Sequence, residues 1–147
     1  MRLKDKVAII TGGGSGIGKA TAFLFSREGA SVVVSDYNDE KGRETLRSIE
    51  QSGGNGLFVG ADVSRSEQVG PIISRTLDAY GKIDILFNNA GVLSFGTVIE
   101  TDEETWNRVI AINLTGTFLC SKAVLPYMQK QGGGCIINMT SSTGAHD

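Results

Sequence analysis

The sequence predicts one α/β domain over residues 1–147, a doubly wound parallel sheet with strand order 3-2-1-4-5. Three observations predict it. Short apolar runs alternate with segments of helical periodicity, and strand–helix–strand units close right-handed into parallel sheets. The strand runs are continuously apolar rather than alternating, so both faces of the sheet should be covered. Glycine is frequent, at 20 of 147 residues, but clusters at element boundaries, where it serves tight turns and close backbone contacts rather than low complexity.

The elements follow in order. KVAIIT (6–11) reads as a buried strand, and residues 17–27 as a helix with Ile17, Ala20, Phe23 and Leu24 at apolar spacing. ASVVVSD (30–36) is a second buried strand. Residues 38–51 form a polar helix with Leu46 and Ile49 on one side, and GLFVGADV (56–63) is a third strand. Ser64 and Glu67 have the spacing of a capping box for the next helix, whose first turns Pro71 should disturb. KIDILFNNAG (82–91) is a fourth strand. Thr101 and Glu104 form a second capping box before a long helical stretch, 102–130, expected to bend near Asn113 or Pro126. CIINMT (135–140) is a fifth strand. No repeat or linker interrupts the series.

The composition, 40% hydrophobic and 20% charged, is that of a globular domain large enough to bury a core. A net charge of −2 argues against a nucleic-acid surface. The N-terminus lacks a signal-peptide pattern, and no uncharged apolar run approaches the roughly 18–20 residues of a membrane span. Cys120 and Cys135 lack metal-ligand spacing and read as buried free thiols in a reducing compartment. The expectation is a cytoplasmic protein with no membrane partner and no metal.

The loop after the first strand, TGGGSGIG, carries the chemistry. Gly12, Gly16 and Gly18 form TGxxxGxG, whereas the GxGxxG spacing would need glycine at Ile17. One glycine permits the turn, a second admits phosphate oxygens to the backbone, and a third lets helix and sheet pack closely. The helix N-terminus then offers N–H groups to a pyrophosphate. This is a Rossmann-type dinucleotide loop, with Thr11, Gly12, Ser15, Gly16, Ile17 and Gly18 as candidate cofactor-binding residues. GGSGIGK (13–19) also fits GxxxxGK, but Ala20 stands where a nucleotide triphosphatase needs a Mg²⁺-ligating hydroxyl. Asp36 ends the second strand, where an acid can accept from adenosine ribose hydroxyls and would repel a 2′-phosphate. Ser15 and Tyr37 place no cation there, so NAD is expected over NADP.

With these motifs the chain resembles the short-chain dehydrogenase/reductase family: TGGGSGIG at 11–18, DV at 62–63, NNAG at 88–91, NLTG at 113–116 and SSTG at 141–144, in the family's order. The resemblance implies that Asp62 and Val63 hold the adenine and that Asn89, Ala90 and Gly91 lie beside the cofactor. It assigns Asn113 to the catalytic centre, where the matching asparagine bends the long helix. It also assigns Ser141, three residues before Gly144, to polarising a substrate carbonyl or alcohol; Ser142 fits less well.

The family pattern continues with a Tyr-x-x-x-Lys segment about a dozen residues beyond the serine, whose tyrosine is the general acid/base. Residues 1–147 contain no such pair after Ser141. Tyr37 and Lys41 match the spacing but follow Asp36, at the adenosine end, and His146 does not fill the role. The sequence therefore reads as the N-terminal three-fifths of an NAD-dependent oxidoreductase acting on a secondary alcohol or carbonyl, inactive by itself. An uncovered strand 135–140 and apolar helix surface around Phe118, Leu119 and Val124 would favour homo-oligomers. The rival readings are a catalytically inactive dinucleotide-binding fragment and an assembly module.

Overall fold

The computed structural model describes residues 1–141. Ser142, Gly144 and His146 lie outside the described residues. Five parallel strands form one sheet, β1 (Val7–Thr11), β2 (Ser31–Asp36), β3 (Asn55–Gly60), β4 (Ile85–Asn88) and β5 (Cys135–Asn138), in the order β3-β2-β1-β4-β5. The helices are α1 (Gly16–Arg27), α2 (Asp39–Gln51), α3 (Ser66–Tyr80), α4 (Glu103–Ile110) and α5 (Gly116–Lys130), with a π-helical turn, Ala111–Thr115, joining the last two. The expected strand order is the observed one.

The register explains why the strands are apolar throughout. Ile9 pairs with Val33 and Leu86, and all three face the core under α3 and α5. Their neighbours Ile10, Val34 and Phe87, also paired, face the opposite core with Ala22 of α1 and Ile49 of α2. Successive strand residues point to opposite faces, so a sheet covered on both sides must be apolar at every position. Burying a side chain the size of Ile9 or Ile10 contributes roughly 1.5–3 kcal/mol.

The strands are shorter than the apolar runs that announce them. β3 stops at Gly60 and β4 at Asn88, where the backbone leaves the ladder: the Asp62 N–H donates to Gln68 Oε1, and the Asn89 and Ala90 N–H groups donate to Thr11 Oγ1. Neither capping box forms. Ser64 Oγ donates to Asp62 Oδ1 instead, and α3 starts after Arg65; α4 is capped by Asp102, whose Oδ1 accepts from the Thr105 N–H at 2.7 Å. Pro71 does not interrupt α3: Pro71 and Glu67 are both exposed, so water can take the carbonyl the proline leaves unpaired. On α1 the buried residues are Gly18 and Ala22 rather than the larger Ile17 and Leu24, because the helix lies too close to the sheet for long side chains. Val124 is fully buried against the sheet, whereas Phe118 is 58% exposed. The helical stretch Glu103–Lys130 is, by length and composition, apolar enough to cross a membrane. Lys122 breaks its uncharged run, which hid this from the sequence reading; here Cys120, Val124 and Met128 pack it onto the sheet core.

Of the two thiols only Cys120 is buried, and desolvation pushes it up to about 12; Cys135 is exposed on β5. A thiol reagent should therefore modify Cys135 in the native chain and Cys120 only after denaturation. Mass mapping of the labelled peptides checks this, and native labelling at Cys120 would contradict the packing of α5.

Asp84, just before β4, ties the start of β1 to the segment leading into β4. Its carboxylate accepts from the Val7 N–H at 2.8 Å and pairs with Lys82 at 3.0 Å and Lys6 at 3.5 Å. Burial raises its pKa, but the Val7 N–H and the two ammonium groups together outweigh burial and hold it below the ordinary 3.8. A depressed carboxylate stabilises the fold above its unfolded pKa, and that contribution is lost as pH falls through the folded value. Asp84→Asn should cost about 1–3 kcal/mol at neutral pH. The difference from the unaltered chain should shrink below pH 3.8, as seen by urea unfolding at two pH values.

Candidate functional site

The carboxyl ends of β1, β2 and β4 open into one cavity of about 570 Å³. This is where an open α/β sheet binds ligands, at the crevice beyond its strand ends. Most of the residues singled out in the sequence meet there: Gly12, Ser15, Gly16, Ile17, Asp36, Asp62, Val63, Asn89, Ala90 and Gly91 all line it. Thr11, Gly18, Asn113 and Ser141 do not line it, and the first three act from behind.

Thr11 is 2% exposed, and its Oγ1 accepts from the Asn89 and Ala90 N–H groups at 3.1 Å each. Asn89 returns the tie, donating from Nδ2 to the carbonyls of Thr11 and Gly12. The start of the glycine loop is thus fastened to the loop after β4. Gly18 sits beneath: a Cβ there would run into the Gly12 carbonyl and stand 2.6 Å from Asn89 Nδ2. Gly16 differs. Its φ is +51°, and a Cβ would meet no protein atom, so the turn, not packing, demands glycine there. The first N–H groups of α1 lie beside this open space, and no acidic residue occupies the first turn.

Asp36 is 7% exposed, and its carboxylate accepts from the Gly14 and Asn38 N–H groups, each at 2.9 Å. Asp62 is both a turn former and a lining residue. Its Oδ1 accepts from the Ser64 N–H at 3.0 Å and hydroxyl at 2.7 Å, and Arg65 pairs with it at 3.6 Å. Val63 is buried against the start of α5, where a Cβ on Gly116 would stand 2.7 Å from its Cγ2.

Asn113 occupies the centre of the π-helical turn, the bend expected at Asn113 or Pro126; α5 runs through Pro126 uninterrupted. The Asn113 side chain grips the Val92 backbone, Oδ1 accepting from the N–H and Nδ2 donating to the carbonyl, both at 2.9 Å. A π-turn leaves helical carbonyls out of their usual pairing, and such turns recur at functional sites. Ser141 follows β5, whose Asn138 accepts at Oδ1 from Asn88 Nδ2 at 2.9 Å; the same Nδ2 donates to Ser121 Oγ at 3.1 Å. This polar group ties the ends of β4 and β5 to α5.

Two cations were not weighed as cavity residues in the sequence reading. Lys41 and Arg108 both line the cavity. Lys41 was singled out only for its spacing from Tyr37; the first turn of α2, which begins at Asp39, carries it into the cavity wall. Tyr37 also lines the cavity and is 78% exposed. It follows β2, three strand positions and hence about 14 Å from β5 and Ser141, so Tyr37 and Lys41 are not placed to serve that end.

A sequence model of the short chain dehydrogenase family matches residues 6–147, and the chain belongs to the short-chain dehydrogenase/reductase family. It is 42% identical over 144 residues to an uncharacterized oxidoreductase of Thermotoga maritima, a match covering 98% of this chain and 57% of that protein. It is 41% identical over 143 residues to the 2,5-dichloro-2,5-cyclohexadiene-1,4-diol dehydrogenase LinX of Sphingobium indicum, covering 97% of this chain and 57% of that one. A crystal structure of a short-chain dehydrogenase/reductase from Burkholderia xenovorans superposes with a TM-score of 0.95 at 37% identity, covering 99% of this chain and 60% of that chain. The chain thus spans less than two thirds of the length of these relatives.

Proposed function

We propose that residues 1–147 form the cofactor-binding part of an oxidoreductase that moves hydride between NAD(H) and a secondary alcohol or carbonyl. The observation that carries this is the single cavity uniting the glycine loop, Asp36, the Asp62–Val63 turn and Asn89–Gly91. A dinucleotide fits it by chemistry. The N-terminal N–H groups of α1 and the side-chain-free Gly16 suit a pyrophosphate, Asp36 suits ribose hydroxyls, and Asp62 with Val63 suits adenine. When bound, the nicotinamide supplies the hydride acceptor or donor. Thr11, Asn89 and Gly18 hold the loop against β4, while Asn113 fixes Val92 and the Asn88–Asn138 pair sets the direction of the chain toward Ser141. The relatives named dehydrogenases and oxidoreductases support the reaction class. The exposed apolar residues Leu114, Phe118 and Leu125 on the π-turn and α5 fit a homo-oligomer, which sedimentation would test.

NAD is preferred on this reading because a 2′-phosphate would approach the Asp36 carboxylate; two unit charges 4 Å apart repel by about 1–4 kcal/mol between bulk water and a protein surface. Lys41 offsets part of that. Calorimetric titration should give tighter binding of NAD than of NADP by about tenfold. Lys41→Gln should widen the gap. Tighter binding of NADP would overturn the assignment, and binding of neither would remove the dinucleotide reading itself.

A further inference from the structure

The carboxylate of Asp36 is spent on backbone before any ligand is considered. Its Oδ2 accepts from the Gly14 N–H, 22 residues away in the chain, and its Oδ1 from the Asn38 N–H. Gly14 lies midway along the glycine loop, and Asn38 caps α2, its Oδ1 accepting from the Lys41 N–H at 3.0 Å. The carboxylate also fills the space beside Gly14: a Cβ there would stand 2.8 Å from Asp36 Oδ2 and 3.0 Å from the Gly42 nitrogen. On its other flank the loop is fastened by Thr11 and Asn89. Ser15 and Gly16, which line the cavity, sit just beyond these two fastenings.

We propose that Asp36 is a positioning residue for the glycine loop, holding Gly14 and the start of α2 in the shape that receives a nucleotide diphosphate, in addition to any contact it makes with a ribose. The inference rests on the dinucleotide reading of the cavity. The physical argument has three parts. A hydrogen bond to an ionised carboxylate is about twice as strong as a neutral one. A carboxylate is a short side chain with two acceptor oxygens and no donor, whereas an asparagine of the same shape would set an N–H₂ group against one of the two N–H groups. A loop ordered before binding spares the ligand the cost of ordering it. Gly14 follows from the same geometry: it must be glycine because the carboxylate stands where its side chain would be.

The test uses the 147-residue chain, its Asp36→Asn variant and its Gly14→Ala variant, which displaces the carboxylate from the opposite side. In the ligand-free protein the Gly14 and Asn38 amide protons should resonate downfield and exchange slowly. Asp36→Asn should move both resonances upfield and speed their exchange by about tenfold or more, with Ile9 and Val33 unchanged as a check on folding. Gly14→Ala should do the same at Asn38. Binding is then measured with ADP and with 2′,3′-dideoxyadenosine diphosphate, which lacks the ribose hydroxyls. Asp36→Asn should weaken both by a similar factor. A loss confined to ADP would mean that Asp36 acts only through the ribose, and would overturn the proposal. So would Gly14 exchanging at an unprotected rate in the unaltered, ligand-free chain, a result that needs no variant to fold. If neither diphosphate binds the unaltered protein, the dinucleotide reading fails, while the amide resonances still decide whether Asp36 holds the loop.

Discussion

Replacing Gly18 with valine is expected to abolish nucleotide binding and to unfold the protein or lower its stability sharply. Even an alanine Cβ at this position would overlap the Gly12 carbonyl and press on Asn89 Nδ2. Neither neighbour can give. The Gly12 carbonyl is part of a turn with φ +63°, and Asn89 Nδ2 is committed to the carbonyls of Thr11 and Gly12. Valine adds two methyl groups to a contact that already excludes one carbon. Overpacking of this kind typically costs 1–3 kcal/mol, and here the Asn89 hydrogen bonds, about 0.5–1.5 kcal/mol each, would go as well. Thermal unfolding followed by circular dichroism, with NAD titration of whatever remains folded, measures both consequences. A stable Gly18→Val chain with unaltered NAD affinity would show that α1 does not pack on the loop as described. Gly16→Ala is the useful contrast: no atom obstructs a Cβ there, so its effect should come from φ strain alone and be smaller.

A polypeptide of residues 1–147 alone is expected to form no measurable NADH from secondary alcohols. Oxidising an alcohol by hydride transfer requires a base for the hydroxyl proton. A free tyrosine, with pKa near 10, is a poor one at neutral pH unless a cation lowers it. Tyr80, partly buried, has its pKa raised by desolvation and by Glu50, the wrong direction for a base. Extending the chain with a segment that carries Tyr-x-x-x-Lys about a dozen residues past Ser141 should restore turnover. The general acid/base alone is worth about 10²–10⁴-fold. The assay is NADH absorbance over a panel of alcohols, with chain length verified by mass. Robust turnover by residues 1–147 that disappears in Ser141→Ala would sink this expectation.

Element type and order were legible because burial on two faces forces an unbroken apolar strand, and no other class of element in this chain has that signature. The ends were less so. β3 and β4 look longer in the sequence than they are, since ADV and NAG continue the apolar run after the backbone has turned toward the cavity. Gly12, Gly16 and Gly18 could be read as a spacing, but Gly14 could not, because its reason is a carboxylate 22 residues away. That Lys41 and Arg108 line the cavity was unreadable for a similar cause: a side chain's reach into a cavity depends on how its helix is docked, and that is a tertiary fact. The capping boxes failed in the opposite way. Ser64 and Thr101 have the right neighbours in sequence, yet each helix starts one residue later, after Arg65 and Asp102, and the two hydroxyls donate to Asp62 Oδ1 and the Thr97 carbonyl. Asn113 as the site of the bend was readable; that the bend is a π-turn closed on Val92 was not.

Of the five strands, the first in chain order is the one in the middle of the sheet. β1 can find β2 soon after both leave the ribosome, but its other neighbour, β4, comes much later: Ala8 pairs with Ile85. At about 5–20 residues per second, roughly 4–15 s of translation separate the two residues. Throughout that interval the β4-facing backbone edge of Ala8–Ile10 is open, its partner not yet synthesised. Slow codons between residues 37 and 85 would lengthen the exposure and fast ones would shorten it, so the yield of folded protein should respond to synonymous changes in that stretch.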